Sequence, residues 1–277
     1  MTQIGEDSTG RMLAVPHGDA TLTLAWAAVT DVGRRRAANE DSYIARPPVF
    51  AVADGMGGHL AGDLASAAVV IRLGERVAGD FATTADVDRA LVEASFDIGV
   101  VAGDSDIGVG TTVTGALLTE LEGVPYFAVF NIGDSRVYRF DGGELEQVTV
   151  DHSLVQELVD SGLITKAQAY QHPEGNIITR AIGFEARPVP DYTLLPLTRG
   201  TRLLLCSDGL TGELRDERLR HHLAAGRSAA ETAATLVDAA LEAGGRDNVT
   251  VVVIDVLEGP RSDDTADTAP DARFGRR

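Results

Sequence analysis

Two hydrophobic rhythms alternate along the chain. Short runs that are apolar throughout, or apolar at every second position, occupy 21–30, 42–45, 49–53, 112–119, 124–130, 137–140, 144–150, 177–181, 191–196, 201–206 and 249–256. These read as strands, and the continuous ones as strands buried on both faces. Apolar positions at helical spacing cover 60–78, 85–101, 153–161, 165–171, 216–224 and 229–243, which predicts helices with one face on a core. Asp141-Gly142-Gly143 between two strand patterns predicts a hairpin. Asp151 or Ser153 is a ready N-cap for the helix that follows.

The strands come in groups, and the helices in pairs between the groups. That order points to an α+β fold with antiparallel sheets rather than to strict strand–helix alternation. Two stacked sheets with helices outside them account for the length. No repeat or linker divides 20–257, which reads as one domain, with the polar stretch 151–176 as a candidate flap. Residues 1–19 read as a flexible leader. Residues 258–277, rich in Pro, Asp, Thr and Ala, read as a disordered acidic tail.

Of the 277 residues 44% are hydrophobic, enough for a substantial core. The formal net charge of −18 repels nucleic acid and anionic membrane surfaces, so neither is expected as a partner. Lys166 is the single lysine among 24 basic residues, which reads as genomic base composition. Cys206 is alone, which excludes an internal disulfide and suits a reducing compartment. Residues 1–20 lack the apolar core of a signal peptide, and no apolar run reaches the roughly 20 residues that span a bilayer. A soluble, cytoplasmic monomer is the expectation.

Candidate chemistry lies where strands end. Acidic points recur there, at Asn39-Glu40-Asp41, Asp54-Gly55, Gly133-Asp134-Ser135-Arg136, Ser207-Asp208-Gly209 and Asp247-Asn248. At any one of them a carboxylate that merely caps a turn is the plain alternative. The glycines around Asp54 let the backbone approach something closely. If Glu40, Asp41, Asp54, Asp208 and Asp247 converge, they form an all-oxygen site. That suits Mg2+ or Mn2+, with Ca2+ as a third option, and argues against zinc. Carboxylates packed together need cations, so two ions are expected. A pair roughly 4 Å apart activates a bridging water for in-line attack at phosphorus. One of Arg34, Arg35 and Arg36 could hold the phosphate through a bidentate fork.

Rival phosphoryl chemistries fail on the residues. Gly212 stands where a cysteine phosphatase following Cys206 needs an arginine. Asp86-Val87-Asp88-Arg89-Ala90 lacks the threonine of an aspartyl-phosphate motif. Lys166 follows no glycine-rich loop, as a P-loop or kinase lysine would.

Taken together, the strings resemble those of the bacterial metal-dependent serine/threonine protein phosphatases of type 2C, the PPM family. The similarity runs from about residue 24 to 256. Its motifs are Arg36-Ala37-Ala38-Asn39-Glu40-Asp41, Asp54-Gly55-Met56-Gly57-Gly58-His59, Gly110-Thr111-Thr112, Gly133-Asp134-Ser135-Arg136, Asp151-His152-Ser153, Ile178 to Gly183, Ser207-Asp208-Gly209 and Asp247-Asn248. Each is short, but eight in the family's order and spacing are specific together.

The resemblance implies a four-layer α-β-β-α sandwich, two central antiparallel sheets flanked by helices, with the metals at one end. It assigns Asp54 as the carboxylate bridging two Mn2+ or Mg2+ ions and the Gly55 carbonyl as a ligand of one. Asp208 and Asp247 complete the other, and Glu40 and Asp41 act through bound waters. Arg36 holds the substrate phosphate. Asp134, with Asp208, matches the position of a third, weaker ion in many members. The implied reaction is hydrolysis of phosphoserine and phosphothreonine in proteins by a hydroxide bridging the ions, without a phosphoenzyme, in opposition to a serine/threonine protein kinase. Arg36, Asp54 and Asp208 are then the catalytic residues. A non-catalytic phosphoprotein-binding domain and a phosphatase confined to an anti-sigma-antagonist protein are the other readings.

One departure stands out. Many eukaryotic members carry a histidine, the proposed leaving-group acid, where this chain has Met56; His59 lies three residues on. That role is not carried over. His152 is expected to organise the flap or a nearby loop, Ser135 and Arg136 to be structural, and Thr111 and Thr112 to anchor a strand start.

Overall fold

A computed structural model of the chain describes residues 1–16, 21–57, 61–103 and 108–259. Its strands are β1 (Gln3–Ile4), β2 (Ser8–Ala14), β3 (Thr21–Asp31), β4 (Asp41–Arg46), β5 (Val49–Met56), β6 (Gly110–Thr111), β7 (Val113–Leu121), β8 (Val124–Ile132), β9 (Arg136–Asp141), β10 (Glu144–Gln147), β11 (Asp191–Pro196), β12 (Arg202–Cys206) and β13 (Val249–Glu258). The helices are α1 (Ala61–Arg76), α2 (Thr84–Ala102), α3 (Leu154–Asp160), α4 (Lys166–Ala169), α5 (Asp208–Thr211), α6 (Asp216–Leu223) and α7 (Ala229–Ala243). None is long and apolar enough to cross a membrane.

One sheet runs β1-β4-β5-β7-β8-β11, with β6 continuing beside β5; the other runs β10-β9-β12-β13-β3-β2. Every pairing is antiparallel except that of β1 with β4, so the first sheet is mixed at one edge.

The side-chain period of two sorts each continuous run between two cores. In β5, Phe50 and Val52 enter the space between the sheets with Trp26, Phe127, Leu205 and Ile254. Val49, Ala51 and Ala53 face outward and pack with Val70 and Leu73 of α1 and Leu91 of α2. The second sheet repeats the arrangement, with Leu204, Val251 and Val253 against Leu219 of α6 and Leu236 and Ala240 of α7. Strands buried on both faces have no polar side, which is why these runs are apolar throughout. The result is the expected layering of helices, two sheets and helices.

Two expectations are corrected. Residues 1–16 are not a loose leader. β1 extends one sheet beside β4 and β2 extends the other beside β3, while Leu13 and Val15 are buried in the central core. Trp26 Nε1 also donates to the Glu6 carbonyl, 2.9 Å. The alternation is too short and polar to announce a strand, but edge strands need only one apolar face. Residues 177–181 form no strand; the region makes single bridges, Ser153 with Ile178 and Thr111 with Ile182. Leu154 N donates to the Ile177 carbonyl and Thr179 N to the His152 carbonyl, which ties the segment to the residues around α3 without forming a ladder. The tail beyond Gly259 and His59 lie outside the described residues.

Candidate active site

Strand register builds the site. Asp41 and Asp54 are partners across β4 and β5. Cys206 and Val251 pair across β12 and β13, so Ser207-Asp208 leaves one strand beside the Asp247-Asn248 that enters the next. A Cβ on Gly209 would collide with the Asn248 carbonyl, so glycine permits that approach. The two sheets are then tied together at this end. Asp41 Oδ2 accepts from Ser207 Oγ at 2.9 Å and from Thr250 Oγ1 at 2.6 Å. Asp134 lies in the turn between β8 and β9.

Asp54 is held by its backbone. Its N–H donates to Thr112 Oγ1 at 3.1 Å, and its carbonyl accepts from Thr112 N at 2.9 Å and Thr111 Oγ1 at 2.8 Å. Thr112 Oγ1 also bonds Ser135 Oγ, 2.8 Å, which links this turn to the one carrying Asp134. Thr111 and Thr112 thus position a carboxylate as well as start a strand. Gly55 sits where a Cβ would collide with the Gly62 carbonyl of α1 and approach the Glu40 carbonyl at 2.7 Å.

The loop before β4 is clamped by Asn248. Its Nδ2 donates to the Val32 and Ala38 carbonyls at 2.8 and 3.0 Å, and its Oδ1 accepts from Glu40 N at 2.9 Å. Arg34 N donates to the Gly245 carbonyl, 2.7 Å. Arg36, half exposed, donates from Nη2 to Asp247 Oδ2 at 2.6 Å. Asn248→Ala removes all three side-chain bonds. The variant is expected to lose roughly 10–100-fold in activity, the scale seen when groups that orient a site are removed, with a lower Tm; unchanged activity would show that the loop holds Glu40 and Arg36 without it.

Arg36, Glu40, Asp54, Asp134, Asp208 and Asp247 all line one open cleft of about 730 Å3, with Gly55 and Met56. Asp41 does not reach it; the side chain is fully buried and bonded to Ser207 and Thr250 instead. Asp41, Asp54, Asp134 and Asp208 resist ionisation. Burial pushes the Asp41 acid up to about 7. Asp54 is raised well above the usual carboxylate range by burial and by the charges of Asp41 and Asp208. Asp134 is raised by burial and Asp208, and Asp208 by burial and Asp247.

This donor set suits a hard cation. It is all oxygen, it carries charge in a poorly hydrated place, and among the described residues Asp41 Oδ1 and Asp134 Oδ1 lack any hydrogen-bond partner. No three of these side chains are already closed around one point at ligating distance among the described residues. The fit therefore rests on chemistry and buried charge rather than on a formed coordination shell.

The stretch 151–176 begins at the cleft's edge. Arg136 grips Asp151 through Nε and Nη2, at 2.6 Å for the closest contact, and bonds Tyr138 Oη at 3.0 Å. His152 Nδ1 accepts from Gly133 N at 3.0 Å, so it organises the Asp134 turn, as expected. Burial and the adjacent Arg180 hold its pKa below the ordinary histidine value. Ser153 Oγ caps α3, and the Tyr170 ring after α4 lies 4.8 Å from the Arg215 guanidinium carbon. Asn248 stood inside a recognisable motif without an assigned role, and Thr111 and Thr112 with only that of anchoring a strand start. Thr250 carried no signal, being one β-branched residue in a strand of them.

The Protein phosphatase 2C family model matches residues 34–244. The serine/threonine protein phosphatase PstP of Mycobacterium tuberculosis is 41% identical over 245 residues, 86% of this chain and 46% of PstP. The chain thus spans about half the length of that relative. Serine/threonine phosphatase stp of Listeria monocytogenes is 36% identical over 240 residues, 82% of this chain and 93% of its own length. A crystal structure of the PstP catalytic domain in complex with two manganese ions superposes with a TM-score of 0.76 at 39% identity, covering 86% of this chain and all of that one. With that match extending over most of the chain, and with Arg36, Glu40, Asp54, Asp134, Asp208 and Asp247 on one cleft, the chain belongs to the protein phosphatase 2C family.

Proposed function

We propose that this chain is a metal-dependent protein-serine/threonine phosphatase that hydrolyses phosphoserine and phosphothreonine and counteracts a serine/threonine protein kinase on its substrates. The observation that carries the reading is the set of carboxylates, raised by burial and mutual repulsion, that borders an open cleft with an arginine on its wall. The two manganese ions of the PstP domain support Mn2+ or Mg2+ as the ions held here. Asp54, the Gly55 carbonyl, Asp208, Asp247 and Glu40 would hold two ions, with Asp41 supporting them from the buried side and Asp134 available to a third. Such a pair, when bound, supplies Lewis acidity and lowers the pKa of a shared water enough for attack at phosphorus.

The chain's own residues do the rest. Arg36, fixed at one corner by Asp247, has further N–H donors for the phosphate. Among the described residues, neither Cys206 nor Ser207 is suited to be a covalent nucleophile. Burial pushes the Cys206 thiol up to about 12, so it is not a thiolate at neutral pH, and the Ser207 hydroxyl is committed to Asp41. Both points support direct attack by water, without a phosphoenzyme. The cytoplasm is the proposed location; the one cysteine is free and buried, as suits a reducing compartment.

The test is phosphate release from a phosphothreonine peptide with Mn2+, with EDTA, and with Mn2+ on the Asp54→Asn variant. Release should need both the ion and Asp54. No release from several peptides or from para-nitrophenyl phosphate, with metal binding shown, would replace this reading by a binding domain. Arg36→Ala should raise KM for para-nitrophenyl phosphate by roughly tenfold or more, the loss of one charge-assisted contact. An unchanged KM would move phosphate binding to Arg35, which also lines the cleft.

A further inference from the structure

A second cavity, of about 500 Å3, lies beside the catalytic cleft. Met56, Asn176 and Ile178 line both, so the two spaces share a wall. Phe184, Pro188 and Val189 line it too, and Phe184 and Val189 are 58% and 67% exposed. Large apolar side chains left open to water beside an active site mark a place where something apolar docks.

The wall is a built one. The Phe184 ring sits over Gly108 and Gly110, where a Cβ would come within 2.7 and 2.9 Å of ring carbons. Ser95 Oγ of α2 donates to the Glu185 carbonyl, 2.6 Å. Arg180 bonds Asp191 Oδ1 at 3.0 Å, His152 Nε2 at 2.8 Å and the Val189 carbonyl. The loop is thus anchored to a helix on one side and to β11 on the other. The same pairing with Asp191 balances the Arg180 charge, so the cavity does not select for an acidic group. Met56, unbranched and adaptable, is one of the three residues at the joint between the two spaces.

We propose that this cavity is a specificity subsite that takes a large aliphatic or aromatic side chain of the phosphoprotein, a few residues along the chain from the phosphoserine or phosphothreonine. The inference rests on the phosphatase reading above. An extended substrate segment advances about 3.3 Å per residue, and the wall shared by the two spaces makes them continuous for a segment whose phosphate lies in the cleft. Polar neighbours at that position leave the apolar wall wet, and large apolar ones cover it.

The experiment is a scan of phosphothreonine peptides in which a single leucine is moved through four positions on each side of the phosphoresidue in a Ser/Gly background. It is run with the intact protein and Mn2+, with para-nitrophenyl phosphate alongside. Leucine at one position, or two adjacent ones, should raise kcat/KM by roughly tenfold, the scale on which apolar pockets discriminate. The ratio of the preferred leucine peptide to its serine counterpart should collapse towards one in Val189→Asp and in Phe184→Ala. Val189→Asp changes an exposed side chain, and each ratio is measured within one variant, so a change in overall rate does not enter. A flat scan on an enzyme that releases phosphate overturns the subsite and leaves the phosphatase reading standing. A preference that survives in both variants also overturns it. No release from any peptide or from para-nitrophenyl phosphate overturns the phosphatase reading and the subsite with it.

Discussion

Asp208→Asn should abolish turnover and yet make the EDTA-treated protein more stable. The loss is expected to exceed about a thousandfold in kcat, since the carboxylate is one of the charges that would place the ions at the reacting phosphate. The gain has a separate cause. Burial and Asp247 raise the folded-state pKa of Asp208, so its ionised form opposes folding at neutral pH. A neutral carboxamide of the same shape removes that opposition and can still bond Asp54, the partner that Asp208 contacts. Thermal melts in EDTA should show a higher Tm, by roughly 2–4 °C for each kcal/mol relieved in a protein of this size. Melts with Mn2+ should show a smaller metal-induced rise than in the parent protein. Full activity in the variant would remove the two-ion reading. A lower Tm in EDTA would show that the carboxylates are not in conflict.

Arg136→Ala should be the most destabilising single change near the site, costing about 3–5 kcal/mol. Arg136 and Asp151 are 18% and 8% exposed and joined by a bidentate grip, and Arg136 also bonds the Tyr138 hydroxyl, which reaches Asp216 of α6. Removing the arginine alone leaves a buried carboxylate with only Gln147 Nε2, 2.9 Å, for company. Replacing both partners, as Arg136→Met with Asp151→Leu, should cost much less, because the loss arises from the stranded charge more than from the pair itself. Urea unfolding of the single and double variants measures the difference. A double variant as unstable as the single one would show that the geometry of the pair, and not the stranded charge, holds the start of the stretch 151–176.

Most elements were legible because burial on both faces leaves a strong mark. The runs at 49–53 and 249–256 could hardly be anything but central strands, and the helices α1, α2 and α7 announce themselves by spacing. The edge strands β1 and β2 were not legible, because an edge strand needs one apolar face only and Leu13 and Val15 are too few to form a pattern. The segment 177–181 misled in the opposite way. It has strand composition, but it is tied to the residues around α3 without forming a ladder.

The proposed chemistry was legible in the sequence alone. Short acidic motifs at strand ends, an arginine before the first of them and glycines around Asp54 carry the family, its expected reaction and the residues that meet in the cleft. These signals survive in one dimension because each depends on a local requirement, either a turn that only glycine can make or a carboxylate at the end of a strand. Only the tertiary structure decided which groups hold those residues in place. Thr250 and Ser207 reach Asp41 from the opposite sheet, Asn248 clamps a loop more than 200 residues earlier in the chain, and Phe184 lies over two glycines some 75 residues before it. Such contacts arise from register and sheet stacking. They join residues whose local patterns are ordinary, so no window of the sequence could show them.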